Sequence, residues 1–348
     1  MIAAALTPEE LRRVVARVPR VDLAHLPTPL EEVPRFAERI GGMRVFLKRD
    51  DCTGLVFGGN KTRHNEFLLA DALQQGADVV VWGAGVQSNN CRQTAAGCAK
   101  LGLECRLYLS RASHNDEIQG NLLLDHLVGA RVEIVDAPLG PELEQLLTDK
   151  AAQFRAAGRK PYVWDRDRVR PLAALSYALC LAEIVEEMRA LQLQPDAVYV
   201  CSAGATGAGV ALGKALLGLS CPVRSVCPIR WPWSVREDMA DIANRAAALL
   251  GLPHRLPAED IEASEDYIGR GYGVPTADGW EATDLLARSE GILLDPVYTA
   301  KAMAGLIFDI RHRRIPPGAT VVFIHTGGLP PVFAYRDELM AFHGGRLS

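Results

Sequence analysis

Short apolar runs alternate with longer amphipathic stretches along most of the chain, and this alternation constrains the fold more than any other feature. The runs are rich in β-branched residues and predict strands, whereas the stretches between them, several of which end at glycine, predict helices. Strands joined by helices favour a parallel sheet that is covered on both faces. The predicted strands are 45–48, 79–82, 105–109, 131–135, 197–201, 223–226 and 321–324. The predicted helices are 62–75, 90–101, 115–127, 140–157, 173–191 and 208–217.

The length of the chain and its net charge indicate which classes of protein it can belong to. The 348 residues are enough for two lobes around a shared cleft, and a net charge of -4 with no basic cluster argues against a nucleic-acid partner. No apolar stretch is long enough to span a membrane. The N-terminus predicts a helix capped at Thr7, with Glu10 three residues on, rather than a signal peptide. We expect a cytoplasmic protein that binds a small molecule and neither nucleic acid nor membrane.

The eight cysteines form no CxxC pair and have no histidine at metal-binding spacing. The sequence therefore predicts no metal site. A disulfide framework is not expected in a chain of this size without secretion, so the cysteines are interpreted as small buried hydrophobic residues.

Loop 202–209, with the sequence SAGATGAG, follows a predicted strand and opens a helix. Its small residues allow backbone N–H groups to close around a phosphate at a helix N-terminus. The glycine spacing matches neither the dinucleotide fingerprint nor the Walker A loop. A tight turn without a ligand is the alternative.

Lys61 lies in the segment GGNKTR at the start of a predicted helix. A lysine is usually a solvated surface charge, but the two preceding glycines indicate a backbone that something approaches closely. A desolvated lysine amine can form a Schiff base with an aldehyde, and together with a phosphate loop this predicts pyridoxal 5'-phosphate (PLP).

Two further groups of polar residues follow strands or turns. Ser88 and Asn89, in QSNN, either cap the next helix or hold a substrate carboxylate or a cofactor oxygen. Tyr272 and Tyr298 lie beside turn residues, where a role in the site and a role in the core are both open.

Taken together, the motifs resemble the D-cysteine desulfhydrase and 1-aminocyclopropane-1-carboxylate (ACC) deaminase family. The similarity runs in order through HLPTPLEEVPRF, FLKRDDCTGLVFGGNKTR, GAGVQSNNCRQTAA, SAGATGAG, YGVP, SEGILLDPVYTAKAMAGL and FIHTGGLPPVFAY. Those enzymes depend on PLP and have the tryptophan-synthase β-like fold, fold type II. The resemblance implies an α/β chain of two lobes, each an open, mostly parallel twisted sheet with helices on both faces. The large lobe would comprise 1–60 and 172–348, with 61–171 as a smaller inserted lobe, and the protein would be a homodimer.

The resemblance also implies roles for individual residues. Lys61 would carry PLP as a Schiff base, and Asn89 would bond the cofactor's O3′ atom. Ser88, Tyr272 and Tyr298 would act on the substrate, with Tyr298 as the acid/base or polarising phenol. The cofactor-binding residues so implied are Lys61, Asn60, Asn89, Ala203, Gly204, Ala205, Thr206, Gly207, Thr299 and Thr326, with the last two near the pyridine nitrogen.

ACC deaminases carry Glu directly after the tyrosine of DPVY, where this chain has Thr299. A hydroxyl cannot keep the pyridine nitrogen protonated, so the ring would be a weaker electron sink. This favours α,β-elimination from a small D-amino acid, which gives a keto acid and ammonia, over the opening of a cyclopropane ring.

The chain departs from the family pattern at four places. His64-Asn65 replaces Lys-Leu, Asn90 replaces a common His, and segment 230–233 (RWPW) is unexpectedly aromatic. Segment 164–171 (WDRDRVRP) replaces small neutral residues in a loop at the substrate entrance. That run is either a solvated, self-paired surface or a sign of a larger or more anionic substrate.

Four alternatives stay open at this point. They are elimination from a cysteate-like or specialised substrate, ACC-type ring opening, a PLP-binding protein without catalysis, and a nicotinamide oxidoreductase, against which the missing GxGxxG pattern argues.

Overall fold

Ten strands form two sheets in the computed structural model, which describes residues 5–111 and 117–344. The strands within these ranges are β1 (Leu30–Glu32), β2 (Arg44–Lys48), β3 (Val79–Gly85), β4 (Glu104–Ser110), β5 (Arg131–Val135), β6 (Pro161–Val163), β7 (Ala197–Cys201), β8 (Val223–Val226), β9 (Glu262–Ser264) and β10 (Thr320–Ile324). One sheet has the order β1-β2-β10-β7-β8-β9 and the other β5-β4-β3-β6. Every pairing is parallel except that of β1 with β2.

Thirteen α-helices accompany the strands in the described ranges. They are α1 (Pro8–Val15), α2 (Pro34–Ile40), α3 (Asn60–Gln74), α4 (Asn89–Leu101), α5 (Gly120–Leu127), α6 (Pro141–Ala156), α7 (Arg166–Ala190), α8 (Ala205–Leu217), α9 (Val235–Leu249), α10 (Ala277–Glu290), α11 (Thr299–Arg311), α12 (Pro331–Ala334) and α13 (Arg336–Phe342). None of these helices is both long and apolar enough to cross a membrane.

Alternate residues of the most buried strands face different cores, which is why β3 and β7 have no charged residue. In β7, Val198 and Val200 pack into a core with α7, α8 and α9, whereas Ala197 and Tyr199 pack with α2, α10 and α11. In β3, Val80 and Trp82 likewise pack into the first core, whereas Val79 and Val81 pack against α6. The first core contains residues of both sheets. The predicted parallel sheets with helices on both faces are confirmed.

All seven predicted strands are present, and the predicted helices are found with shifted ends. The helix predicted at 115–127 falls partly outside the described residues, and its described part is α5. The helix expected near Thr7 is α1, where Thr7 Oγ1 accepts from Glu10 N at 3.2 Å. Strands β1, β6 and β9, three residues each, were not predicted, and neither were α2 and α9 to α13.

Segment 164–171, expected as a loop, is mostly the beginning of α7, so this expectation was wrong. Asp165 caps the helix by accepting from Asp167 N at 3.0 Å. Pro171 lies in the second turn, where its missing N–H removes a single helical bond. The charged run therefore projects from a rigid helix.

The strands of the smaller sheet all lie between 61 and 171, the segment predicted to form the inserted lobe. The exact boundaries stay a prediction, and the second of them falls within α7.

Helices α7 and α8 approach each other closely. A Cβ atom on Gly209 of α8 would lie 2.2 Å from the carbonyl oxygen of Ala174 and 2.7 Å from Cβ of Tyr177. Only glycine allows this contact, so the two backbones are locked in register.

Six of the eight cysteines are buried, as expected for small hydrophobic residues; Cys52 is exposed and Cys221 is half-buried.

A buried ion pair connects the end of β2 to two helices. Asp50 Oδ1 accepts from Arg63 Nη2 at 2.8 Å and from Thr28 Oγ1 at 2.7 Å, and Asp50 Oδ2 accepts from Tyr177 at 2.5 Å. Arg63 also donates to Glu183 at 2.7 Å. Burial works to raise the pKa of Asp50, but the Arg63 guanidinium and these hydrogen bonds hold it below its usual range. The carboxylate therefore stays charged.

We expect Tyr177→Phe to lower the free energy of unfolding by about 1.5–3 kcal/mol, because a buried carboxylate loses one of its donors. Urea denaturation measures this change. Tyr108→Phe is the control: the Tyr108 hydroxyl has no hydrogen-bond partner among the described residues, and its removal should change the free energy by less than about 0.5 kcal/mol. Equal losses in the two variants would contradict the importance of the Asp50 network.

Candidate active site

A cavity of about 300 Å³ lies where the carboxyl ends of strands from both sheets meet. Its wall includes Gly85 at the end of β3, Cys201 at the end of β7, Ile229 after β8 and Thr326 after β10. Open parallel sheets bind ligands at this edge.

Most of the predicted site residues line this one cavity. They are Asn60, Lys61, Ser88, Asn89, Ala203, Gly204, Ala205, Thr206, Tyr272, Tyr298 and Thr326. The structure therefore brings together residues that are as far apart in the sequence as Asn60 and Thr326.

Gly207 and Thr299, as the structure describes them, do not belong to the wall. The Gly207 amide donates to Ser202 Oγ at 2.8 Å, so it is not available to a phosphate. The Thr299 hydroxyl donates to Asp295 Oδ1 at 2.7 Å and accepts from Asp295 N at 2.8 Å. The expectation that Thr299 lies near the pyridine nitrogen stays a prediction; in the structure its hydroxyl holds Asp295 at the start of α11.

Lys61 lies in the first turn of α3. The turn before it is made by Gly58, at φ 61°, where a Cβ atom would lie 2.2 Å from the Asp51 carbonyl oxygen. The Lys61 amine makes no hydrogen bond with any described residue, and burial lowers its pKa to about 8. About a tenth of this amine is therefore uncharged and nucleophilic at pH 7, far more than for a free lysine.

The loop before α8 presents open amides to the cavity. The N–H groups of Ala203, Ala205 and Thr206 have no partner among the described residues, whereas Gly204 N donates to Ser202 Oγ at 3.1 Å. Three open amides at a helix N-terminus form a site for an anion. Beside the Lys61 amine, they fit a molecule that carries both a phosphate and an aldehyde.

His64 borders the same loop. Its Nε2 lies 3.2 Å from Thr206 Oγ1, and that hydroxyl oxygen accepts from Asn60 Nδ2 at 2.9 Å. Burial, followed by the nearby Lys61 and Arg63 charges, lowers the His64 pKa well below its usual value. The imidazole is therefore neutral and adds no positive charge.

Ser88 caps α4, since its Oγ accepts from Asn90 N at 3.1 Å and Cys91 N at 3.2 Å. The capping alternative is thus correct, but the Ser88 O–H remains available as a donor to the cavity. Asn89 Oδ1 accepts from Asn121 Nδ2 at 2.9 Å, which leaves the Asn89 amide nitrogen to donate. An amide donor is what a phenolic cofactor oxygen requires.

Tyr272 and Tyr298 are hydrogen-bonded to each other through their hydroxyls, with ring centroids 5.9 Å apart. Burial raises the pKa of Tyr272 to about 12. Burial and the neighbouring Tyr272 raise that of Tyr298 further above its usual range. Both phenols are therefore neutral at physiological pH, and the hydroxyl that accepts from the other keeps its own proton to donate.

The charged run of α7 reaches the cavity through two of its arginines. Arg166 and Arg170 both line the wall and both pair with Asp238 of α9. Arg168 pairs instead with Asp71. The arginines of segment 164–171 thus form ion pairs with other helices, whereas one alternative held that the segment is paired with itself.

An aromatic group adjoins these arginines. Trp231 and Trp233 are stacked with centroids 4.9 Å apart, and the Arg166 guanidinium lies 4.0 Å from the Trp233 ring centroid. Trp164, which precedes α7, and Leu143, which lies in α6, extend the apolar wall of the cavity. The sequence indicated that segments 164–171 and 230–233 are unusual, but no motif in it indicated that α6 contributes residues to the cavity wall.

Residues 21–327 match the family described as pyridoxal-phosphate dependent enzyme. The chain belongs to this family. PLP is therefore its cofactor, and the nicotinamide alternative is not supported.

Solved structures agree with this assignment. An ACC deaminase homologue is 34% identical, with a TM-score of 0.86, and the match covers 95% of this chain and 98% of that one. Diaminopropionate ammonia lyase of Escherichia coli, in its apo form, is 17% identical with a TM-score of 0.66, over 97% and 91% of the two chains. The holo form of the same lyase is 16% identical with a TM-score of 0.65, and the match covers 97% of this chain and 92% of that one. The lyase shows the fold alone, and fold type II is confirmed.

We expect PLP to form a borohydride-reducible adduct at Lys61, at a rate that follows the uncharged fraction of the amine. Below the pKa of about 8 the rate should fall about tenfold for each pH unit, and above it the rate should level off. Stopped-flow absorbance at several pH values measures it. Lys61→Ala should give no adduct. A rate that still rises at pH 10, as for a free lysine of pKa about 10.4, would contradict a desolvated amine.

Proposed function

We propose that the protein is a PLP-dependent lyase of the D-cysteine desulfhydrase type, which eliminates the β-substituent of a small D-amino acid and releases a keto acid and ammonia. The observation that carries the proposal is the unpartnered Lys61 amine, which faces a cavity that also holds open loop amides and neutral hydroxyl donors. Matching the ACC deaminase homologue along nearly the whole chain supports a deaminating activity.

The N-terminus of α4 suits the substrate carboxylate. The Ser88 hydroxyl lines the cavity there, and the backbone N–H of Asn89 has no partner among the described residues. The positive end of the helix adds to the attraction. These groups would orient the α-carbon toward Lys61.

Lys61 is suited to accept the α-proton, because a base of pKa about 8 is partly unprotonated at working pH. PLP supplies the electron-withdrawing ring that stabilises the charge left on the α-carbon. Tyr298, held by Tyr272, would donate a proton to the departing group, and both phenols are neutral. A thiolate that leaves as a neutral thiol needs such a donor.

The surroundings of the cofactor favour elimination over ring opening. Glu144 of α6 is the one carboxylate among the described lining residues, and the wall near the end of β10 carries the Thr326 hydroxyl instead. Without a carboxylate beside it, the pyridine nitrogen is not held protonated.

A second candidate substrate is an amino acid with a larger or more anionic β-substituent than the thiol of D-cysteine. The apolar wall of Trp164, Trp231 and Trp233 favours it, since a thiol would leave this surface uncovered. On the resemblance alone, we also propose a cytoplasmic homodimer.

A substrate screen tests the proposal. We expect keto acid and ammonia from D-cysteine analogues, without accumulation of pyridoxamine phosphate, and faster turnover when the β-substituent is large. The screen should include both enantiomers of cysteine, S-aryl cysteines, cysteate and ACC. Ring opening of ACC as the fastest reaction would reject the elimination type, and efficient use of D-cysteine would reject the larger substrate. Absence of turnover with every amino acid would favour a binding protein without catalysis.

Tyr298→Phe should lower kcat by about 10²–10⁴-fold while PLP stays bound, because the leaving group loses its proton donor. Steady-state kinetics and the absorbance of the bound cofactor measure the two effects. Tyr267→Phe, a tyrosine outside the described cavity wall, should leave both unchanged. Wild-type kcat in Tyr298→Phe would remove this phenol from the reaction.

A further inference from the structure

Arg170 lies beside the loop that is suited to the cofactor phosphate. Its Nη2 atom is 3.5 Å from the position that a Cβ atom on Gly204 would occupy. The side chain is only 11% exposed, and it lines the cavity together with Ala203, Ala205 and Thr206. A guanidinium is thus fixed next to the three open amides.

The charges around Arg170 do not cancel. Asp238 Oδ1 accepts from Arg170 Nη1 at 3.0 Å and from Arg166 Nη2 at 2.7 Å, so one carboxylate serves two guanidinium groups. Neither arginine has a second carboxylate partner among the described residues. Burial works to raise the pKa of Asp238, but Arg170 and Arg166 hold it low, so this group stays charged. About one unit of positive charge is left over at this end of the cavity.

No neighbouring group in the described wall is better placed to supply a cation to the loop. His64, the other basic side chain beside it, is neutral. The Lys61 amine is needed for the aldehyde. Asp238 occupies two of the five N–H groups of Arg170, which leaves three to donate.

We propose that Arg170 binds the phosphate of PLP, with Asp238 and Arg166 as positioning residues. The guanidinium supplies a permanent charge and directed donors to a dianion that otherwise contacts backbone amides. Asp238 holds the group in place and Arg166, stacked on Trp233, shares that carboxylate. The inference rests on the cofactor and is independent of the proposed substrate.

The test compares PLP with pyridoxal, which lacks the phosphate but carries the same aldehyde. Full-length enzyme is dialysed to exchange its cofactor, and the dissociation constant of each compound is measured by absorbance. Arg170→Met should weaken PLP binding by about 10- to 100-fold and change pyridoxal binding by less than about twofold. Arg170→Lys should keep part of the preference, because it keeps the charge and loses the paired donors.

Arg168→Met is the matched control. Arg168 lies on the same helix, two residues away, but it pairs with Asp71 and is not part of the described cavity wall. This variant should keep the wild-type preference for PLP. Removal of Arg170 leaves Asp238 paired with Arg166, so no buried carboxylate loses all its partners.

Three outcomes would overturn the proposal. Equal weakening of PLP and pyridoxal in Arg170→Met would mean that the residue acts on the fold. An unchanged preference for PLP would mean that the phosphate does not contact the guanidinium. A higher KM for acidic substrates with unchanged PLP binding would assign Arg170 to the substrate instead. Because the comparison of PLP with pyridoxal does not need the elimination activity, a failure of the proposed function would leave that part of the test intact.

Discussion

The buried Asp50–Arg63 ion pair fixes the position on which the site depends. Arg63 lies two residues after Lys61 in the same helical turn, so whatever holds its guanidinium also holds the start of α3. Two backbone bonds of 3.0 Å complete the attachment, from Gly59 N to the Asp50 carbonyl and from Asn60 N to the Thr326 carbonyl. A desolvated amine can be aimed at one atom only if its backbone cannot move. Here the restraint comes from charges that water does not reach.

Two regions of the cavity differ in the charge of their side chains. Where bonds would be made and broken, the described side chains are neutral phenols and hydroxyls, with one amine of lowered pKa. Near Gly204 the charge is permanent and exceeds what Asp238 neutralises. Neutral groups can give and take protons near pH 7, whereas an arginine cannot change its charge there. In the roles that we propose, the cofactor is anchored by a permanent charge and protons are transferred by groups that are neutral or of lowered pKa.

The sequence predicted those parts of the structure in which local pattern and tertiary packing agree. Strands such as β7 and β10 are buried on both faces and their apolar runs stand out, whereas three-residue strands such as β9 leave too short a pattern to detect. The family resemblance placed a loop at 164–171, and the local sequence, with Pro171 and alternating charges, has no apolar pattern that would indicate the helix that tertiary ion pairs stabilise. The motif singled out Thr299, but it could not show that the Thr299 hydroxyl donates to the Asp295 carboxylate. The Arg170–Asp238 contact joins residues 68 positions apart, and no local pattern reports such a pair.

The close packing of α8 on α7 at Gly209 has an evolutionary consequence. Because the backbones touch there, most substitutions at this crossing would force the helices apart and displace the loop that begins α8. Positions in the first turns of α7 such as Val169 lie before the crossing and line the cavity, so substitutions there would alter its wall without moving the loop. One helix therefore combines positions that hold the cofactor loop with positions that only shape the cavity. A lineage that keeps Gly209 and Arg170 and changes positions such as Val169 can acquire new substrates without having to rebuild its cofactor site.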